Sequence, residues 1–195
     1  ELHETDENTG TMEVLERHQF DVSKLQDFMY ENIEGFEGNI KLEEFKGGQS
    51  NPTYKVITPN QSYVLRRKPP GKLLKSAHAV DREYKVITGL NKTDVPVPKS
   101  YALCEDDDVI GTAFYLMEFK DGRVLWDAAM ESSDKEEASG VYESMNDSMA
   151  KLHLVKPSEI GLEDFGKPGN YVGRQVSRWS CLLYTSPSPR DAHKS

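Results

Sequence analysis

The 195 residues carry 24 Lys and Arg against 33 Asp and Glu, a formal net charge of -9, with 36% hydrophobic and 29% charged residues. That balance fits an ordinary globular chain of one domain or two small lobes, and argues against a nucleic-acid groove or an anionic membrane as partner, since both need clustered cations. No run approaches the length of a membrane span, and Cys104 and Cys181 stand far apart outside any metal-ligand spacing, so a disulfide framework and a zinc site both fail and a reducing, intracellular setting is expected.

In chain order, the acidic start to about Gly10 reads as disordered and residues 1–20 as partly so, and the start resembles neither a signal peptide nor a basic transit sequence. "FDVSKLQDFMYENI" places Phe20, Leu25, Phe28 and Met29 near one helical face, with Ser23 close to its start. Strands follow in "NIKLEEFK", "TYKVIT" and "SYVLRR", the last two separated by the turn formers "TPNQS". "SAHAVDREYKVITGL" returns Val80, Tyr84, Ile87 and Leu90 at helical spacing, which predicts one helix, about Ser76 to Leu90, inserted between strands. "KSYALCE" and "AFYLMEF" predict two more strands around the acidic turn "DDDVIG". Beyond "KDG" the pattern turns helical, with Val141, Met145, Met149 and Leu152 on one stripe. The fold class is therefore α+β, with sheet first and helices second.

The end of the chain departs from this patterning. "VGRQVSRWS" starts as a helix and stops at "CLLYTSPSPRDAHKS", where Ser-Pro repeats break periodicity. "CLLYTSPSPRD" also reads codon for codon as a transposon-end adapter of sequencing libraries. The expectation is that residues 181–195 are non-native, pack against nothing, and replace a continuation past Ser180.

Several residues in this framework suit phosphate chemistry. In "EFKGGQSNPTYKV", Gly47, Gly48, Ser50 and Asn51 can turn backbone N–H groups towards phosphate oxygens with no side chain in the way, or equally make a hairpin turn. Alternation in "YVLR" sends Tyr63 and Leu65 to one face and Val64 and Arg66 to the other. Arg66 to Lys68 also reads as a solvated sheet edge. Glu83 sits three residues after Val80 and four before Ile87, beside the apolar stripe, so it either faces the sheet or makes an exposed helical charge pair, whereas Asp81 lies well around the helix.

The order of these pieces resembles the small lobe of a protein kinase-like phosphotransferase. "GGQSNPTYKV", "YVLRRKPPGKLLKSAHAVDREYKVI", "FYLMEFKDG" and "GLEDFGKPGNYVGRQVSRW" together resemble the aminoglycoside phosphotransferase-like family, in particular the kinase-like N-terminal domain joined to acyl-CoA dehydrogenase in acyl-CoA dehydrogenase family members ten and eleven. The resemblance implies a kinase-like N-terminal lobe over 1–119, and a hinge with the start of a truncated helical lobe over 120–180. It implies ATP and Mg as cofactors, with the nucleotide held by Gly47, Gly48, Ser50, Asn51, Val64, Arg66, Glu83, Met117, Glu118 and Lys120. Val64 would cover adenine, Arg66 would bind phosphate where protein kinases use lysine, Glu83 would anchor Arg66, and Met117 would be the gatekeeper. The Glu118 carbonyl and Lys120 N–H would take the adenine edge.

The same resemblance implies phosphoryl transfer to the hydroxyl of an unidentified small molecule. No nucleic acid or membrane partner is implied, a fused acyl-CoA dehydrogenase domain is implied in the parent, and a mitochondrial or peroxisomal site is suggested by family alone. Asp164-Phe165-Gly166 copies the letters of a kinase magnesium motif, but no loop with a base and an Asn precedes it, so Asp164 reads as structural and His153 as a helix-end residue. On this reading the general base and metal ligands are missing from the chain and it is inactive by itself. The alternative is a catalytically silent module that binds a nucleotide or a partner.

Overall fold

The computed structural model describes residues 9–46, 51–71, 78–125, 127, 129–130, 133–167 and 169–185. The chain divides into two compact units, Glu1–Lys156 and Pro157–Ser195. The first is built on a six-stranded antiparallel sheet of β1 (Thr11–Met12), β2 (Lys41–Phe45), β3 (Thr53–Ile57), β4 (Ser62–Arg67), β5 (Ser100–Cys104) and β6 (Phe114–Glu118), in the order β1-β2-β3-β4-β6-β5.

The two faces of the sheet carry different cores because side chains alternate along each strand. On one face Tyr54, Val56, Tyr63, Leu65, Phe114 and Leu116 pack with Leu25 and Met29 of α1 (Val22–Asn32). Phe28 meets Phe114 edge to face at 5.2 Å and Phe20 meets Tyr54 at 5.4 Å. On the other face Val80 of α2 (Val80–Leu90) packs with Tyr115 and Ala113, joined by Tyr84, Ile87, Leu103 and Met117. A strand covered on both faces reads as a continuous apolar run, which is why "AFYLM" shows little alternation. Register then aligns two rows on the α2 face, Thr53, Arg66 and Tyr115 in one and Lys55, Val64 and Met117 in the next.

Ser23 lies in the first turn of α1, as expected, and Asp21 caps the helix, accepting from the N–H groups of Ser23 at 2.9 Å and Lys24 at 3.4 Å. A carboxylate reaches those first-turn donors at least as well as a hydroxyl does. Other local expectations need correction. The acidic turn holds a short helix, α3 (Asp107–Ile110), because Asp106 accepts from the N–H of Asp108 at 2.9 Å and Gly111 closes the helix with φ 85°. Within the stretch expected to be partly disordered, Thr11–Met12 pairs with β2 and Glu16–His18 forms a 3-10 turn. Helix α2 begins at Val80, and the expected start at Ser76 falls outside the described residues.

Helix α4 (Lys135–Leu154) buries no residue, and its apolar stripe stays open at Met145, Met149 and Leu152. In the second unit a 3-10 turn, Pro157–Ile160, leads through Asp164 and Phe165 to α5 (Tyr171–Thr185). Helix α5 runs past the expected stop at Ser180, because Cys181 to Thr185 contains no breaker and the first proline comes at Pro187. Cys181 is exposed, and residues 186–195 lie outside the described part. Among the described residues no helix is long and apolar enough to cross a membrane.

Candidate functional site

Strand β4 and helix α2 bring a cation and a carboxylate together across the α2 face. Arg66 Nε donates to Glu83 Oε2 at 2.7 Å, with both side chains about two-thirds covered. The Tyr115 hydroxyl, which register sets opposite Arg66, donates to the same oxygen at 3.1 Å. Asn51 Nδ2 donates to Oε1 at 3.3 Å, so both carboxylate oxygens are engaged. Burial first, and then the neighbouring Glu83 charge, push the Tyr115 phenol far above its ordinary range, so it remains a neutral donor to the carboxylate. Asp81 instead lies 3.9 Å from Lys68 Nζ.

Beside this pair the sheet face opens into a cavity of about 640 Å³, lined among others by Thr53, Lys55, Val64, Arg66, Met117, Glu118 and Lys120. Its size lies within the range of small-molecule sites. Val64 and Met117 stand opposite each other in register and supply an apolar wall. Phe119 and Phe45 stack at 6.4 Å, and Lys55 Nζ sits 4.0 Å over the Phe119 ring. Glu118 ends β6 with its N–H donating to the Lys99 carbonyl at 2.8 Å. The Lys120 ammonium, and then the Lys99 N–H, hold the Glu118 carboxyl below its usual range. With Arg66, Lys55 and Lys120 in its lining together with Val64 and Met117, the cavity suits a ligand with an anionic end and a flat apolar part.

The structure thus brings Val64, Arg66, Met117, Glu118 and Lys120 to one cavity, with Glu83 behind Arg66 and Asn51 behind Glu83. Gly47, Gly48 and Ser50 lie outside the described residues. Asn51 is 4% exposed and its side chain reaches Glu83 on one side and His78 on the other, with Oδ1 2.6 Å from His78 Nδ1.

Sequence reading missed Tyr115, His78, Lys55 and Phe119. Tyr115 was accessible by alternation, two residues from Met117 on one strand, and Lys55 by its place opposite Val64. His78 had no signal, since 27 residues separate it from Asn51. Asp164 sits in the second unit after the 3-10 turn, where the Phe165 N–H donates to the Leu162 carbonyl at 3.1 Å, and His153 lies in the last turn of α4. No cluster of three or more His, Cys, Asp or Glu that could hold a metal occurs among the described residues.

A profile described as the phosphotransferase enzyme family matches residues 41–193. A probable acyl-CoA dehydrogenase of Arabidopsis thaliana, IBR3, is 46% identical over 170 residues, covering 83% of this chain and 21% of the relative. Acyl-CoA dehydrogenase family member 11 of Rattus norvegicus is 37% identical over 181 residues, covering 91% and 23% respectively. A crystal structure from Ralstonia eutropha, provisionally assigned as an aminoglycoside phosphotransferase, superposes with a TM-score of 0.75 at 48% identity, covering 87% of this chain and 50% of that one. The chain therefore spans about a fifth of the length of these curated relatives.

Proposed function

The chain belongs to the phosphotransferase enzyme family, and on that premise we propose that its first unit carries the ATP-binding residues of an enzyme that transfers a phosphoryl group to the hydroxyl of a small molecule. The observation that supports this most is the Arg66–Glu83 pair in the wall of the cavity. A carboxylate held by Asn51 and Tyr115 fixes the guanidinium through Nε and leaves its terminal nitrogens for phosphate oxygens. Val64 and Met117 cover the base, and the backbone of Glu118 and Lys120 takes its edge. Gly47, Gly48, Ser50 and Asn51 cradle the phosphates. Such an arrangement acts by holding a triphosphate in place and neutralising its charge.

Magnesium, when bound with ATP, supplies charge neutralisation at the phosphates. We place its ligands and the general base in the part of the fold beyond this chain, so that the chain binds nucleotide without transferring phosphate. The half coverage of the Ralstonia structure is consistent with that division, as are the relatives named as acyl-CoA dehydrogenases with a fused dehydrogenase region in the parent. An amide-resolved NMR titration of the chain with ATP tests the reading. Shifts confined to the 47–51 stretch, β3, β4, β6 through Lys120 and the start of α2 are expected, and shifts elsewhere, or none, overturn it. A full-length parent that binds ATP yet phosphorylates no hydroxyl compound would be a silent nucleotide-binding module instead.

A further inference from the structure

We propose that His78 is a positioning residue that sets the phosphate-binding cation through Asn51 and Glu83, a proposal that rests on the nucleotide site described above. A carboxylate can only accept, so Asn51 must turn its amide NH₂ towards Glu83 Oε1, 3.3 Å away. The amide oxygen then faces His78 Nδ1 at 2.6 Å, and because that oxygen can only accept, Nδ1 must carry the hydrogen. The three residues form a directional chain from His78 through Asn51 to Glu83, whose other oxygen receives Arg66 Nε at 2.7 Å and the Tyr115 hydroxyl at 3.1 Å. Without the His78 donor, the buried Asn51 amide can rotate and set its oxygen against the carboxylate. Glu83 must then move, and Arg66 with it.

The backbone supports an imposed position for His78. Its φ is 58°, in the left-handed region that side chains other than glycine seldom adopt, and its carbonyl accepts the Val80 N–H at 2.9 Å just before α2 begins. Asn51 closes the Gly-rich stretch, so one buried amide ties the end of that loop to the helix and to the cation together. Val64, Met117 and Phe119, which form the apolar part of the cavity, take no part in these hydrogen bonds. A ligand's phosphates should therefore register His78 while its base should not.

Two measurements on the chain as it stands test this. Long-range ¹H–¹⁵N NMR of the imidazoles should show His78 with its hydrogen on Nδ1, and a hydrogen on Nε2 alone overturns the proposal. Protein-observed titrations with ATP and with adenosine should show His78→Leu weakening ATP about five- to tenfold while adenosine changes by less than about twofold. His78→Gln, whose amide N–H can replace the lost donor, should recover most of the ATP affinity. Equal weakening of both ligands assigns His78 to the scaffold and overturns the proposal, as does an unchanged ATP affinity. If the unaltered chain binds neither ligand, the nucleotide reading falls and this proposal with it; if it binds ATP and the Leu variant matches it, only the role of His78 falls. Should His78→Leu not fold, the imidazole tautomer and the Gln variant still decide the matter.

Discussion

Replacing Arg66 by alanine separates ligand binding from folding, because the two effects draw on different partners. For folding, the relevant quantity is the pair with Glu83 at 2.7 Å, whose side chains are 33% and 35% exposed. Solvent screens a pair this open, so its contribution belongs at the surface scale of about 0–1 kcal/mol. Nor is the carboxylate orphaned, since Asn51 Nδ2 and the Tyr115 hydroxyl remain as donors. For ATP, the proposed reading has the terminal guanidinium nitrogens meet phosphate, where a hydrogen bond between charged groups contributes about 1.5–3 kcal/mol. Glu83 already offsets part of the cation and water reaches the rest, which sets the effect near the lower bound, about 1.4 kcal/mol or tenfold in affinity. Arg66→Ala should thus weaken ATP about tenfold and reduce stability by no more than about 1 kcal/mol. Amide titration with ATP gives the first quantity and urea unfolding the second. A folded variant that binds ATP within about twofold of the parent removes Arg66 from phosphate binding.

The fold offers further tests. Leu65, fully buried between α1 and the sheet, should cost about 2–5 kcal/mol on truncation to alanine, measured by urea unfolding; a loss under about 1 kcal/mol would mean that this face is not the core. Tyr54 donates to the His18 carbonyl at 3.1 Å, and burial raises its phenol from 10.0 to about 12. Folding favours the protonated phenol, so stability is intact below pH 10 and declines as pH rises through 10 towards 12, and ultraviolet phenolate absorbance should follow unfolding there; a Tyr54 that ionises at its ordinary pH in the folded chain would contradict its burial. Gly111→Ala places a Cβ at φ 85°, at a cost of about 1 kcal/mol by thermal unfolding, and an unchanged melting temperature would refute the left-handed cap. ATP should bind this chain no tighter than about millimolar, with magnesium changing affinity less than about threefold and no phosphate transferred; tight magnesium-dependent binding would overturn the assignment of the metal ligands to another part of the fold.

What the sequence disclosed about the site follows from how far each signal reaches. Alternation in "YVLR" and the helical spacing of Val80, Glu83 and Ile87 each act within a few residues, and each left its side chain two placements, against the sheet face or in solvent. Their meeting depends on strand order, and the kinase-like resemblance supplied that. Hydrogen bonds between residues far apart in sequence left no such trace: Asn51 read as a loop donor, yet its side chain is 4% exposed and committed to Glu83 and His78. The start of α1 near Ser23 was legible, but the cap itself was not singled out, because Asp21 and Ser23 both suit an N-terminus and only geometry separates them. The stripe on α4 was correctly placed on one helical face, but a stripe reveals apolar character without its partner, and in this chain Met145, Met149 and Leu152 remain exposed.

An arginine at the position of β4 proposed to bind phosphate has a consequence that a lysine there would not. A lysine presents one ammonium, which the helix carboxylate and the phosphate must share, so each contact constrains the other. Arg66 gives Glu83 its Nε, on one edge of the guanidinium plane, and on the proposed reading the nitrogen pair on the far edge would meet the phosphate. The carboxylate can then fix the plane without competing for the nitrogens that meet phosphate. A fixed plane has value only if the carboxylate is itself fixed, and Tyr115 and Asn51 supply that from β6 and from the end of the loop. Arg66→Lys should consequently retain the attraction for phosphate while losing the division of labour, giving an ATP affinity between those of the parent and Arg66→Ala, about threefold below the parent, in the same titration. Full retention would mean that point charge alone matters at this position, and a loss equal to that of alanine would mean that the fork geometry carries the whole effect.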